Sequence, residues 1–257
     1  MAYAPNGDLT PPSNPDVQLW RYLDVAKLLS MLETGSLHFA RLNTFQDPWE
    51  GAVGPPNTDF FKEAFGPNSV DASHLPALLW KMRTRHLSVS CWHMSEHESA
   101  AMWSAYADRG LAVRTTWRRL TASITDERHV TGGEVRYVDF ARDVIPERNL
   151  FLPVMHKRMS FSHEREVRLL LPDFGPHPGP VASAQDEVTD ADNDWQDYET
   201  SPTSAVGVDL VQLLAGVNVS PVAPAWLTDL IGQVLARYGL PDVPVVRSDL
   251  YDAPEIV

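Results

Sequence analysis

Apolar and polar residues alternate in several short stretches of the chain, and a period of two is typical of strands with one buried face. In EREVRLLLP (164–172) this period places Glu164, Glu166 and Arg168 on one face, next to an apolar end. The same pattern predicts strands at VQLWRYL (17–23), SLHFARL (36–42), LSVSCW (87–92), GLAVRT (110–115), GGEVRYVDF (132–140) and VPVVRS (243–248).

Other segments carry apolar residues three or four positions apart, which is typical of helices with one buried face. Asp24 precedes the first of them as a potential N-cap, and Gly35 follows it as a stop signal. Ser95 and Glu98 form a capping box in front of AAMWSAYA. Further helices are predicted near 58–65 and 76–86, around TWRRLTASI, at FLPVMHKRMSF (151–161) and at APAWLTDLIGQVLARYG (223–239).

Strands and helices mix without strict alternation, which favours an α+β fold with a mixed, mostly antiparallel sheet and flanking helices. We expect one domain over residues 17–250. Residues 1–16 are rich in Pro and Asn and lack an apolar period, which predicts a flexible tail. Residues 172–204 contain eight Asp and Glu and no Lys or Arg, which indicates a long, exposed and partly disordered loop.

The composition is that of a soluble globular protein, with 44% hydrophobic and 21% charged residues in a chain of 257. No apolar run reaches the roughly 18 residues that a membrane helix needs, and the N-terminus lacks the features of a signal peptide. The single cysteine, Cys91, rules out an internal disulfide. We therefore expect a cytoplasmic protein that does not associate with membranes.

Charge is distributed unevenly along the chain. The total of −13 argues against non-specific binding of nucleic acid over the whole surface, because Lys and Arg make the phosphate contacts. Residues 77–168 nevertheless contain 15 Lys and Arg against 11 Asp and Glu. This part of the chain can therefore face an anionic ligand.

Candidate chemistry lies in three separated pieces: Arg21 in the first strand, Ser88 and Ser90 in LSVSCW, and Glu164 and Glu166 in EREVRLLLP. This order of Arg, Ser-x-Ser and Glu-x-Glu resembles the pattern of the ADP-ribosyltransferase superfamily, whose members line an NAD-binding cleft with these elements. The resemblance implies an ADP-ribosyltransferase-like fold. It also implies an enzyme that cleaves the N-glycosidic bond of NAD, or of a related nucleotide, and transfers ADP-ribose to an acceptor.

The same resemblance implies roles for these residues. Arg21 would hold the NAD phosphates with its planar guanidinium, and Ser88 or Ser90 would hydrogen-bond the nicotinamide ribose or orient the glutamate. Glu166 would bind the ribose hydroxyl and stabilise the positive charge that develops as nicotinamide leaves. Glu164 would align or deprotonate the acceptor.

Aromatic and charged residues near these pieces are candidates for nucleotide contacts, although core packing and solvated faces explain the same residue types. Asp47 lies in the loop NTFQDPWEG, and Lys157 with Arg158 precedes the glutamates, where they can neutralise a phosphate. The candidate cofactor-binding residues are Arg21, Tyr22, Asp47, Ser88, Trp92, Trp103, Tyr106 and Arg158.

A second resemblance covers most of residues 17–250. Phrases such as LHFARLNTFQDPWEG, SVSCWHMSEHESAAMWSAYA and HKRMSFSHEREVRLL resemble bacterial domain-of-unknown-function family 2971. This resemblance implies a single domain and supplies no activity. Phage defence, toxin action and nucleotide modification are the biological settings that it suggests.

Cys91, His93, Glu96 and His97 form a cluster of potential zinc ligands. His93 and His97 straddle a predicted boundary between strand and helix, and no second cysteine supports them, so we assign no metal site. A lone cysteine that alternates into the core is more typical of a small apolar residue than of a nucleophile.

Three hypotheses follow from the sequence. The first is an ADP-ribosyltransferase-like enzyme that uses NAD through Arg21, Ser90 and Glu166, with a small-molecule, nucleic-acid or protein acceptor. The second is a non-catalytic module that binds a nucleotide or RNA through the basic central region. The third is a metal-dependent nuclease or hydrolase that uses Asp47, Glu164 and His93. The sequence leaves the substrate, the acceptor and the oligomeric state open.

Overall fold

The computed structural model describes residues 3–66, 70–174 and 201–254. The strands are β1 (Gln18–Leu23), β2 (Ser36–Arg41), β3 (Leu87–Met94), β4 (Leu111–Thr116), β5 (Thr131–Glu134), β6 (Arg136–Val138), β7 (His156–Arg158), β8 (Glu166–Pro172), β9 (Thr203–Gly207), β10 (Gly216–Val219) and β11 (Val245–Arg247). The α-helices are α1 (Val25–Thr34), α2 (Pro55–Phe65), α3 (Val70–His86), α4 (Ala100–Tyr106), α5 (Trp117–Ala122), α6 (Leu210–Leu213) and α7 (Trp226–Arg237). Short 3₁₀ helices occupy Leu42–Thr44, Leu152–Met155 and Met159–Glu164.

Nine of the described strands form one sheet in the order β11-β10-β4-β1-β3-β2-β9, with β8 next to β3 and β5 next to β8. The pairing is antiparallel except between β10 and β11. A separate parallel pair joins β6 to β7. The predicted α+β class and mostly antiparallel sheet are therefore confirmed. Within the described ranges, no helix combines the length and the apolar character needed to cross a bilayer.

The sheet opens beside β3, and this opening positions the candidate site. One edge of β3 pairs with β8 along the whole run from Leu87 to His93. The other edge is shared, because β1 pairs only with the C-terminal end of β3 and β2 pairs only with the N-terminal end. Among the described residues, the three that lie between these two ladders have no strand partner on that edge. β1 and β2 therefore diverge next to the middle of β3.

β8 is buried on both of its faces, which explains the run of leucines at its end. Val167, Leu169 and Leu171 pack into the main apolar core, whereas Leu170 packs into a second cluster on the other face. A strand covered on both faces needs apolar residues at consecutive positions. The leucine run thus anchors the strand that carries Glu166 and makes it rigid.

The helix boundaries confirm one predicted cap and correct another. Asp24 accepts a hydrogen bond from the Lys27 backbone at 2.8 Å, and Gly35 ends α1 in the left-handed region with φ 57°. The predicted capping box at Ser95 is wrong, because Ser99 is the N-cap of α4 and accepts from the Met102 backbone. Ser95 still follows the strand pairing, because its backbone N–H donates to the Gln18 carbonyl at 3.2 Å.

The prediction of a helix at FLPVMHKRMSF is also wrong. Two 3₁₀ helices flank the short strand β7, which pairs with β6. Glu164 ends the second 3₁₀ helix, and Arg165 follows in the left-handed region with φ 41°. The alternation predicted that Glu164 and Glu166 lie on one face of one strand. This prediction is wrong, because the chain turns at Arg165 and only Glu166 belongs to β8.

Residues 3–16, for which the composition predicts a flexible tail, lie against the domain. The Ala4 backbone N–H donates to the Val130 carbonyl at 2.9 Å, and the Leu9 side chain is buried. These contacts involve residues far apart in sequence, which local composition does not indicate. The predicted acidic loop at 172–204 falls for the most part on 175–200, which lie outside the described residues.

Candidate functional site

A cavity of about 730 Å³ lies at the opening between β1 and β2. Its walls come from β1, α1, β2, the loop before α2, the middle of β3, α4 and the segment from β7 to the start of β8. Eight of the eleven candidate residues from the sequence line it. These are Arg21, Tyr22, Asp47, Trp92, Tyr106, Arg158, Glu164 and Glu166. The opening in the sheet thus brings together pieces that are more than 140 positions apart in the chain.

The three other candidate residues lie behind the cavity wall. Ser90 accepts hydrogen bonds from Arg21 at 2.7 Å and from the Trp92 indole at 3.1 Å. Ser88 is fully buried on the same face of β3. Trp103 packs edge-on against Tyr22 and donates its indole N–H to Glu98. It therefore packs in the core, and the prediction that it contacts the cofactor is not supported by its position. Ser90 therefore positions Arg21 and does not line the cavity.

Arg21 and Glu166 project from opposite faces of the sheet but reach the same cavity. In an antiparallel ladder, directly paired residues share a face. Trp20 pairs with His93, and His93 pairs with Glu166, so these three share one face and Arg21 lies on the other. The missing strand pairing beside the middle of β3 allows the cavity to contact both faces.

Arg21 forms the cationic end of the cavity. Its guanidinium spans the opening, because it donates to Ser90 on β3 and to the His38 carbonyl on β2 at 2.6 Å. It also lies over the Trp92 ring at 5.6 Å. Burial lowers the pKa of Arg21 to about 10, so the group remains charged at neutral pH. Among the described residues it forms no ion pair with a carboxylate, and Lys27 and His38 line the same end.

Arg168 organises the carboxylates at the opposite end. Its guanidinium is fully buried and forms two hydrogen bonds to Glu50, at 2.8 and 3.0 Å, and one to Glu166 at 2.9 Å. It also donates to the Val154 carbonyl at 2.7 Å. Burial alone would raise the pKa of Glu166, but Arg168 and then Lys157 outweigh it and hold that pKa below its ordinary value. Glu166 is therefore an ionised and immobile carboxylate.

Lys157 lies among three carboxylates. Its ammonium donates to Glu164 and lies 3.5 Å from Glu50 and 3.6 Å from Glu166. Burial would lower the pKa of Lys157, but the carboxylates, Glu166 first, raise it above the ordinary value. The ammonium thus takes the position that a metal ion would need. The described residues contain no group of three His, Cys, Asp or Glu side chains that could hold a metal.

Asp47 and Arg158, both predicted to contact a nucleotide, pair with each other at the cavity rim at 2.7 Å. Phe161 lies beneath them, with the Arg158 guanidinium 5.4 Å and the Lys157 ammonium 4.6 Å from its ring centre. Tyr106 donates its hydroxyl hydrogen to Glu164 at 2.8 Å. Aromatic side chains thus form much of the wall between the two charged ends.

Two residues of the ion network, Glu50 and Arg168, were not assigned from the sequence. Lys157, expected to neutralise a phosphate, pairs with carboxylates instead, and His93, expected as a potential metal ligand, lies on the cavity wall. The E-x-R spacing in β8 places Arg168 on the face of Glu166, which is a local signal that they could pair. In the suggested zinc cluster, Cys91 and His93 line the cavity, whereas Glu96 and His97 are exposed. Burial, followed by the charge of Glu166, raises the pKa of the Cys91 thiol, which argues against a nucleophile.

The chain matches no family model, no curated protein and no solved structure, so the two resemblances remain predictions and the geometry of the cavity carries the functional argument.

Proposed function

We propose that the cavity binds NAD or a related nucleotide, and that the chain is an ADP-ribosyltransferase-like enzyme that cleaves the N-glycosidic bond and transfers ADP-ribose to an acceptor. One observation carries this proposal. A single cavity joins Arg21, a half-buried guanidinium without a carboxylate partner in the described residues, to Glu166, an ionised carboxylate fixed by two cations.

The cationic end suits a phosphate. Arg21 donates hydrogen bonds to two neutral acceptors, a serine hydroxyl and a backbone carbonyl, and neither of them neutralises its charge. A guanidinium in this state binds phosphate oxygens through charge-assisted hydrogen bonds. Lys27 and His38 add donors on the same side. The pyrophosphate of a dinucleotide is an anion that these groups can bind.

The carboxylate end suits the sugar bond that breaks. Glu50, Glu164 and Glu166 face Lys157 and Arg168, so this end has one formal negative charge in excess. Departure of nicotinamide leaves positive charge on the ribosyl carbon, and a fixed carboxylate next to that carbon stabilises it. Because Arg168 and Lys157 hold Glu166 in place, it need not reorganise during the reaction. Glu164 aligns the acceptor at this end of the cavity, where its oxygens accept from Lys157 and Tyr106.

The size of the cavity is also suitable. Its volume of about 730 Å³ falls within the roughly 300–1,000 Å³ typical of small-molecule sites. Tyr106, which lines the cavity and is exposed, supplies an aromatic surface against which a base or nicotinamide can stack. A concave site of this size favours a free nucleotide over a strand of RNA.

A nucleotide-binding module without catalysis is the second candidate, because Arg21 and the aromatic wall explain binding without any turnover. It predicts NAD binding with no release of nicotinamide. A metal-dependent hydrolase is less well supported, since Lys157 already neutralises the carboxylates.

The test combines binding and turnover. Titration calorimetry should show NAD binding to the wild-type protein, and Arg21→Gln should weaken it about 10- to 100-fold, the range for a charged hydrogen-bonding group. Arg118→Gln, at an exposed arginine, is the matched control. Glu166→Gln should bind NAD but release nicotinamide at least about 100-fold more slowly. NAD binding that is absent, or unchanged in Arg21→Gln, would contradict the proposal.

A further inference from the structure

His93 lines the cavity, and a hydrogen bond fixes which of its ring nitrogens carries the hydrogen in the neutral form. The side chain is buried on β3, directly across the ladder from Glu166. Its Nδ1 lies 2.6 Å from the Glu164 backbone carbonyl. A carbonyl oxygen can only accept, so Nδ1 must carry the hydrogen. In the neutral ring this leaves the lone pair on Nε2.

Nε2 of His93 forms no hydrogen bond with any described residue, and the ring lines the cavity. The neutral form is favoured because burial lowers the pKa of His93, although the bond to the Glu164 carbonyl opposes this. The charged and titratable groups around the ring are Glu164, Arg165 and His163 from the turn before β8, Glu166 from β8, Tyr22 from β1 and Tyr106 from α4. Arg165 and His163 favour the neutral ring further.

The other potential bases at this end of the cavity are already engaged. Both carboxylate oxygens of Glu164 accept hydrogen bonds, one from Tyr106 and one from Lys157. Glu166 is held by Arg168 and Lys157, and Asp47 by Arg158. Each of these carboxylates keeps further lone pairs, but taking up a proton would weaken its ion pair. A general base needs a lone pair that can reach the proton it removes. Among the described residues at this end, the imidazole of His93 offers a lone pair that no ion pair engages.

We infer that His93 is the general base of the transfer, and that it removes the proton from an acceptor hydroxyl group or from water. This inference rests on the proposed function. The bond between nicotinamide and the ribosyl carbon breaks, and its electron pair stays on the nicotinamide nitrogen, which becomes neutral. The acceptor oxygen forms the new bond to the ribosyl carbon. Its proton moves to Nε2 of His93 and then to solvent, so atoms and charge balance.

The test compares His93→Gln with wild type and with His129→Gln, a change at an exposed histidine. The glutamine amide can still donate to the Glu164 carbonyl. We expect NAD affinity within twofold of wild type and kcat for nicotinamide release lower by about 100- to 10,000-fold. The wild-type rate should fall on the acid side as His93 becomes protonated. That acid limb should be absent in His93→Gln and present in His129→Gln.

The outcomes separate this inference from the proposed function. If wild type releases nicotinamide and His93→Gln keeps both the rate and the acid limb, the general base is another group and the function stands. If wild type neither binds NAD nor releases nicotinamide, both proposals fall. Nitrogen NMR of the wild-type histidines provides a check that needs no variant. A hydrogen on Nε2 of His93 at pH 7.5 would overturn the inference.

Discussion

Arg168→Met tests the ion network that is proposed to fix Glu166. Arg168 is fully buried and binds Glu50 and Glu166, which are themselves almost fully buried. Methionine keeps much of the length of the side chain but removes the charge. Two carboxylates would then remain in the interior, with Lys157 as the nearest cation. Loss of one partner from a buried, hydrogen-bonded pair costs about 3–5 kcal/mol.

Such a loss would be a large part of the total stability, since domains of this kind unfold with about 5–15 kcal/mol. Urea unfolding at pH 7.5, followed by tryptophan fluorescence, measures it directly. The matched control is Arg118→Met. Arg118 also forms two hydrogen bonds to a carboxylate, at 2.8 and 3.0 Å to Asp16, but both side chains are exposed. The control should unfold at the wild-type midpoint.

The destabilisation should also depend on pH. Without Arg168, burial raises the folded-state pKa of the two carboxyls above their unfolded values, so the variant regains stability as the pH falls through those values. The difference from wild type should therefore be smaller at pH 5 than at pH 7.5. Equal midpoints for Arg168→Met and Arg118→Met, or a difference that does not change with pH, would refute the account of the network.

Three further predictions concern stability and the cation site. Burial lowers the pKa of each of three buried histidines, His86, His93 and His156. Below about pH 6.5 the unfolded chain therefore binds more protons than the folded chain. Urea melts should show that the free energy of unfolding falls there, by at most about 1.4 kcal/mol per pH unit for each histidine. Lys157→Ala should lower the melting temperature and should gain thermal stability from millimolar Mg²⁺ or Ca²⁺, whereas wild type should respond to neither cation nor chelator. Gly110→Ala should lower the free energy of unfolding, because a Cβ there would lie 2.4 Å from the Leu23 carbonyl oxygen. Gly232→Ala, in an open position on α7, should raise the free energy of unfolding by up to about 1 kcal/mol.

The sequence correctly predicted several features that are determined by residues close together in the chain. Asp24 and Gly35 bound the first helix as expected, since a cap is a local interaction. The alternation in LSVSCW predicted the strand β3, but the implied polar face is wrong, because Ser88 and Ser90 are fully buried. The prediction failed for Glu164, because a turn at Arg165, where a non-glycine residue adopts the left-handed region, breaks the strand pattern that its neighbours suggest.

The arrangement of the site depends on contacts that no local pattern encodes. The cavity exists because β1 and β2 share one edge of β3, and this sharing depends on strand pairing between distant residues such as Trp20 and His93. Arg21 and Ser90, 69 positions apart, meet through a side-chain hydrogen bond. The partner of Arg168 is Glu50, which lies 118 positions away. The order of Arg, Ser-x-Ser and Glu-x-Glu could therefore suggest a shared cleft, but it could not show that Arg21 and Glu166 reach it from opposite faces.

The central claim is that one cavity holds a nucleotide between Arg21 and Glu166. A crystal structure of the Glu166→Gln variant, grown with saturating NAD, tests it most directly. The account predicts phosphate oxygens within hydrogen-bonding distance of the Arg21 guanidinium and the nicotinamide ribose next to residue 166. An empty cavity at saturating NAD, or a nucleotide bound elsewhere on the surface, would contradict it.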